Sequence, residues 1–200
     1  MTRAPSGFTL IELMVTLTVI VVLLAVALPS FQAVRQRSAL RNAAEQTAGF
    51  WNQARLEAAK RNTWVKVGMA ATSSTSYCLG AATATSATDS TPCNCKAVVT
   101  TCDIARLGVD QAEWRDVSLL SSSIGNAIWP SPAVSPLAAV IEPKQAALAA
   151  TNQKGYIAFT APAGRRTYNL RVNFDQFGRA TVCQPTGDTD KMSDFAGRKC

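Results

Sequence analysis

The chain begins with an apolar run that constrains its fold more than any other feature. Residues 8–28 form a stretch of 21 residues with a single charged side chain, that of Glu12. As an α-helix with a rise of about 1.5 Å per residue, this stretch measures roughly 31 Å, close to the thickness of a bilayer's hydrocarbon core. We therefore predict a transmembrane helix over residues 8–30.

Glu12 is the most informative residue of this run. An ionised carboxylate in a membrane segment costs at least a few kcal/mol, so it usually has a functional partner. If the chain were cut after Gly7, Phe8 would carry a free α-amino group one helical turn away, and Glu12 could neutralise that amine or the amine of a neighbouring copy. An ordinary secretory signal peptide and a plain anchor with an incidental glutamate are the alternatives. Glu12 at the head of the run, and the poor cleavage site at residues 28–30, argue against the signal peptide.

The residues Gly7-Phe8-Thr9-Leu10-Ile11-Glu12 resemble the class III signal of type IV prepilins and type II secretion pseudopilins. The resemblance covers residues 1–31. It implies that residues 1–7 are a leader removed by the prepilin peptidase between Gly7 and Phe8, that Phe8 is N-methylated, and that Glu12 acts in assembly. It also implies a single-pass inner-membrane protein with a periplasmic C-terminal domain, which enters a pilus with other pilins or pseudopilins.

The helical pattern resumes after Pro29. Apolar residues recur at mostly three- and four-residue steps, while charged residues occupy the other faces, so we predict an amphipathic helix over residues 31–62. The recurring apolar positions are Phe31, Val34, Leu40, Ala44, Ala48, Trp51, Ala54 and Ala58. Trp51, Ala54 and Ala58 are expected to pack against a sheet.

Residues 63–200 show a period of two and predict a β-rich globular domain. The whole chain is thus predicted to be α+β and pilin-like, with a long N-terminal helix on a C-terminal antiparallel sheet. Strands are predicted at residues 64–69, 76–79, 114–120, 156–159, 168–174 and 179–183, with a turn at 161–164 and surface loops in the remaining parts of 70–91. Residues Phe174 to Arg179 also resemble the Phe-x-x-x-Gly-Arg segment of GspH-, FimT- and FimU-type minor pilins and pseudopilins.

The six cysteines all follow the apolar run and predict a disulfide framework in an exported domain. Cys183 and Cys200 form a natural C-terminal pair. Cys93 and Cys95 are too close in sequence to bridge without strain, so the remaining four are expected to form two bridges whose pairing stays open, among Cys78, Cys93, Cys95 and Cys102. The alternative for Cys93-Asn94-Cys95 is a metal or redox pair.

Composition argues against an enzyme. The chain has no histidine, and no nucleophile–base pair, phosphate loop or metal-ligand spacing is visible, so we predict no catalytic activity, no cofactor and no metal. Its net charge of +7 is compatible with anionic partners.

Part of this charge defines a candidate DNA-binding set: Arg165, Arg166, Arg179, Arg198 and Lys199. Some FimT-like proteins bind DNA through a basic Gly-Arg-x-Arg tail. The tail of this chain, Gly197-Arg198-Lys199-Cys200, lacks the second arginine, so the resemblance is partial. The alternative interpretation is a solvated basic surface.

Together these features predict a minor type IV pilin (a fimbrial biogenesis protein) of the FimT/FimU type that primes or joins pilus assembly through its N-terminal helix. Two alternatives remain: a GspH-like pseudopilin of type II secretion, and a DNA-binding minor pilin for natural transformation.

Overall fold

A computed structural model describes residues 7–99, 101–108, 114, 116–124, 127–129, 138–149, 154–163, 166–188, 190–195 and 197–200. For residues 26–30, 72, 124, 127–129 and 163 it describes the backbone only. Leader residues 1–6 and the predicted DNA contact Arg165 lie outside the described residues.

The long helix α1 spans Leu10–Arg61 and is continuous through Pro29, and a short 3₁₀ helix spans Ser193–Phe195. Helix α1 begins at the N-cap Thr9, whose hydroxyl accepts a hydrogen bond from the backbone N–H of Glu12 at 3.3 Å. It ends at Asn62, which adopts a left-handed conformation (φ 49°) and donates its N–H back to carbonyls of the last turn. The two helical segments predicted from sequence are therefore one rod.

The strands that the structure describes form two antiparallel sheets, of order β3-β2-β1-β6 and β5-β4-β7-β8-β9. The described strands are β1 (Trp64–Ser73), β2 (Ser76–Ala84), β3 (Ala105–Leu107), β4 (Ser118–Ile124), β5 (Ala127–Trp129), β6 (Ala139–Ile141), β7 (Gly155–Ala163), β8 (Arg166–Phe174) and β9 (Ala180–Cys183). The C-terminal half of α1 packs on both sheets, chiefly on β7, β8 and β9. This arrangement confirms the predicted α+β, pilin-like fold.

The buried stripe of α1 follows the periodicity of the sequence only in its C-terminal part. Trp51, Ala54 and Ala58 are at most 1% exposed, as predicted for sheet-facing positions. Phe31 and Val34, which begin the same periodic series, are 72% and 58% exposed. Burial against the sheets starts at Leu40, so the preceding turns of helix present apolar side chains to the exterior.

Four strand predictions were wrong at their edges by more than two residues. β1 continues four residues beyond Met69, into a region predicted as a surface loop. β2 continues five residues beyond Leu79, although residues 80–84 lack large apolar side chains. β4 starts at Ser118, because residue 114 lies in a turn closed by the Val117 N–H on the Trp114 carbonyl. β7 includes Ala161–Ala163, which were predicted as a turn. Pro162 lies beyond Thr160, where the pairing of β7 with β4 ends, so it has a partner strand on one side only, opposite Thr167 of β8.

Candidate functional site

The N-terminus of the helix carries the residues that the sequence singled out. Gly7 and Glu12 are exposed, and Phe8 is 84% exposed. Glu12 lies in the first turn, where a carboxylate interacts favourably with the helix dipole. The helix cap is the hydrogen bond from the Glu12 backbone N–H to the Thr9 hydroxyl, so the Glu12 carboxylate takes no part in it.

The following turns present an apolar surface on every side. Each residue from 7 to 25 is exposed, and the only polar groups that follow Glu12 in this segment are self-satisfied, since Thr16 and Thr18 donate their hydroxyls to the carbonyls of Leu13 and Val15 at 2.9 and 2.8 Å. Soluble monomers rarely expose apolar patches above a few hundred Å². This part of α1 is therefore built to be covered, by lipid or by other subunits.

Among the described side chains, no helix has the length and hydropathy needed to cross a membrane. The predicted span, 8–30, includes residues 26–30, whose side chains lie outside the described set. The transmembrane assignment therefore stays a prediction.

A comparison with protein families identifies the sequence motif at the start of this helix. Residues 2–28 match the family described as the prokaryotic N-terminal methylation motif. The N-terminus is a type IV prepilin signature. No curated protein and no solved structure matches the chain. The prepilin signature implies processing by the prepilin peptidase and assembly with other pilins, and it supports a type IV pilin-like protein.

One of the contacts between the prepilin helix and the sheets is centred on Trp51. The Trp51 ring stacks on the Phe174 ring with centroids 3.9 Å apart, and its indole N–H donates to the Gly178 carbonyl at 2.8 Å. Arg55 donates from Nε to the Ala146 carbonyl at 2.8 Å. We call Trp51, Arg55, Ala146, Phe174 and Gly178 the helix–sheet junction.

This junction gives a structural role to the Phe174–Arg179 segment. Phe174 ends β8, and Gly178 has a φ of +71°, which a side chain rarely adopts. A Cβ on Gly178 would lie 2.6 Å from the Ala146 oxygen. Arg179 then closes the turn onto Asp175, with Nε and Oδ2 at 2.8 Å. The segment therefore positions α1 on the second sheet.

All six cysteines are in disulfides. Cys183 is joined to Cys200, the pair that the sequence favoured. The open pairing among the other four is Cys78–Cys95 and Cys93–Cys102, so Cys93 and Cys95 belong to different bridges and form no metal or redox pair.

The two bridges lie together on the outer face of β2. A Cβ on Gly80 would meet the sulfur atoms of Cys93 and Cys102 at 2.5 Å. Cystine sulfur thus packs against Gly80, and Ala82 belongs to the same buried cluster, while pairing with β1 continues through Ala84.

The four described members of the candidate DNA set do not share one patch. Arg166 begins β8, whereas Arg179 lies beyond the other end of that strand. The strand spans about eight residue steps, or roughly 26 Å. The Arg179 guanidinium is also paired with Asp175. Arg198 stacks over the Phe195 ring at 5.8 Å, and Lys199 is bridged through its backbone to Gln184. DNA binding stays a prediction.

Arg166 has different basic neighbours from those expected. It lines a groove with Arg37 and Arg41 of α1 and with Lys191. The Glu45 carboxylate, aided by Asp194, raises the pKa of Arg41, and the Tyr168 hydroxyl and the Asp190 carboxylate raise the pKa of Arg166, so both stay charged. The sequence signal was the basic excess of residues 31–66, seven basic against two acidic residues, but only the fold connects it to β8.

Proposed function

We propose that this pilin-like chain is a minor type IV pilin that primes or joins pilus assembly through its N-terminal helix, and that its role is interaction rather than catalysis. The observation that carries the proposal is the prepilin signature on a helix whose residues 7–25 are exposed while its C-terminal half is held by a globular domain. Burial of that apolar surface among neighbouring subunits would drive assembly.

Glu12 gives this assembly its register. After cleavage, its carboxylate would pair with the Phe8 amine of a neighbouring subunit, in an environment with little water. Breaking such a pair by removing one partner costs several kcal/mol, because the other charge is left uncompensated.

The first test is the processing itself. Mass spectrometry of the mature protein should show a chain that begins at an N-methylated Phe8, because the sequence Gly7-Phe8 resembles a prepilin cleavage site. A mature chain that begins near residue 30 would identify a secretory signal peptide and refute the proposal.

The second test separates the carboxylate from the helix cap. Glu12→Ala keeps the backbone N–H that Thr9 caps, so the helix should insert normally, but recovery in sheared filaments should fall severely. Thr9→Ala is the matched control, because it removes the cap and keeps the carboxylate; it should cost about 1 kcal/mol of helix stability and leave filament recovery close to that of the parent. Normal recovery of Glu12→Ala would contradict the role in register.

A GspH-like pseudopilin of type II secretion is the alternative from the same machinery. Deleting the gene distinguishes the two. Loss of surface pili with normal protein secretion supports the minor pilin, and the reverse result identifies a pseudopilin.

A further inference from the structure

A basic groove lies where α1 leaves its exposed segment and meets the globular domain. It is about 380 Å³ in volume and runs between residues 34–41 of α1, the start of β8 and residues 191–194. Its charged lining is four cations, Arg37, Arg41, Arg166 and Lys191, against one carboxylate, Asp194.

Three of these cations are available to an anion. Arg41 is neutralised, because it contacts Glu45 at 2.8 Å and Asp194 at 3.0 Å. The only carboxylate that contacts Arg166 among the described residues is Asp190, loosely at 3.8 Å, and its other side-chain partner, the Tyr168 hydroxyl, is uncharged.

Arg37 and Lys191 are the freest of the three. Neither has a carboxylate partner among the described residues. The Arg37 guanidinium lies over the Tyr168 ring, 5.1 Å from its centroid, an arrangement that orients the group and keeps its charge.

The position of the groove along α1 indicates which anion it meets. Phe31 and Val34 are exposed apolar side chains, and Val34 lines the groove's N-terminal end. From Leu10 to Val34 the helix measures about 37 Å, close to the 40–45 Å of a bilayer with both head-group layers. Arg37 follows one turn later, and helical side chains lean toward the helix N-terminus, so its guanidinium is directed back toward the head groups.

We propose that the basic groove binds the phosphodiester head group of an anionic phospholipid at the surface of the membrane in which the chain is anchored. The inference rests on the proposed function for that anchorage. Apolar Val34 lies on the membrane side of the groove, and Arg37, Arg166 and Lys191 surround one phosphate. Head-group binding fixes the rotation of the globular domain on the membrane before the subunit enters a filament.

A single phosphate fits the groove better than a nucleic acid does. Asp194 lies inside the groove, and Asp190 and Glu45 flank it, which disfavours a long polyanion. Arg179, the basic residue that would extend the surface along β8, lies at the opposite end of that strand.

The test uses the full chain in a non-ionic detergent and native mass spectrometry with added phosphatidylglycerol or phosphatidylcholine of the same acyl chains. The groove variant is Arg37→Gln/Lys191→Gln. The matched control is Lys144→Gln/Lys154→Gln, which removes two positive charges from exposed side chains outside the groove.

The parent and the control should bind phosphatidylglycerol with the same affinity and phosphatidylcholine much more weakly. The groove variant should bind phosphatidylglycerol about 25-fold more weakly, since each Lys or Arg contact with an anionic lipid surface contributes a factor of about five. Equal binding by the groove variant and the control would overturn the proposal. If the double variant does not fold, Lys191→Gln alone should still give about a fivefold loss, and the absence of that loss would overturn the proposal equally.

Two competition arms identify the source of the phosphate. Inorganic phosphate should displace the lipid only at concentrations far above that of the lipid, and displacement at equal concentration would indicate a free-phosphate site instead. A short DNA duplex that binds the groove more tightly than the lipid would indicate a nucleic-acid site instead. This lipid-binding measurement involves no filament, so a negative result leaves the assembly proposal standing. Conversely, if Glu12→Ala did not affect assembly, the lipid-binding result would be unchanged.

Discussion

Substitution of Gly178 by alanine tests whether the helix–sheet junction holds the domain together. Gly178 has a φ of +71°, which costs a non-glycine residue about 1–2 kcal/mol. The new Cβ would also lie 2.6 Å from the Ala146 backbone oxygen and 3.0 Å from Arg55 Nε. Backbone cannot rotate away as a side chain can, so one of the two turns must move.

That movement would break a buried hydrogen bond. The Trp51 indole N–H donates to the Gly178 carbonyl, and Trp51 is 1% exposed, so a lost bond leaves a buried donor unpaired at a cost of about 1–3 kcal/mol. Together the terms give roughly 4 kcal/mol for Gly178→Ala. For a chain of this size this lowers the melting temperature by about 8–16 °C.

Gly187→Ala is the matched control. Gly187 also has a positive φ, +108°, but a Cβ there would meet nothing within 4 Å. Only the conformational cost remains, about 1–3 kcal/mol. Thermal unfolding of the full chain in non-ionic detergent, followed by near-ultraviolet circular dichroism of the packed aromatic rings, measures both. Equal losses at the two glycines would refute the reasoning, because the close contact and the hydrogen bond would then contribute nothing.

Two further measurements test other parts of the domain. Cys183→Ser/Cys200→Ser should lower the free energy of unfolding by about 3 kcal/mol, because the bridge restricts a C-terminal loop in the unfolded chain; parallel chemical denaturation of parent and variant measures it. The Thr85 N–H and the Lys66 ammonium lower the pKa of Asp89, so its contribution is complete above the ordinary pKa of Asp, about 4, and is lost as pH falls through the lower folded pKa. Asp89→Asn should therefore be less stable than the parent at pH 7 and lose less stability on acidification below pH 4, and parallel acid titrations would contradict this if the two profiles fell together.

Sequence periodicity predicted the elements whose buried face is formed by their own regularly spaced apolar side chains. The helix from Leu40 onward and the strand β8 have apolar side chains at the spacing that their own geometry requires, so the pattern is visible in the sequence. The length of β2 was underestimated because its buried face depends on residues that are distant in sequence. Its C-terminal half is rich in Gly, Ala and Thr, and what covers it is cystine sulfur from residues 93–102, a contact that no local pattern contains.

The same distinction applies to function. The prepilin signature is local, with all of its residues in one short stretch, so the sequence alone predicted it. The basic groove brings together residues 37, 166 and 191, which only the packing of α1 on β8 makes neighbours. Arg166 was predicted to contact DNA, but its groove neighbours Arg37 and Lys191 were not. Arg179, which was predicted in the same set as Arg166, lies at the other end of β8.

The junction also bears on how assembly would act on the domain. Because α1 is continuous from Leu10–Arg61, any force or rotation applied to its exposed N-terminal part is transmitted directly to Trp51. There the stacking on Phe174 and the hydrogen bond to Gly178 fix the helix against β8 and the turn that follows it. A weakened junction should therefore leave Glu12 and its pairing chemistry intact while it releases the domain from the orientation that the helix imposes. Gly178→Ala would then reduce incorporation into filaments by a route independent of Glu12, and the double substitution would be more defective than either single one.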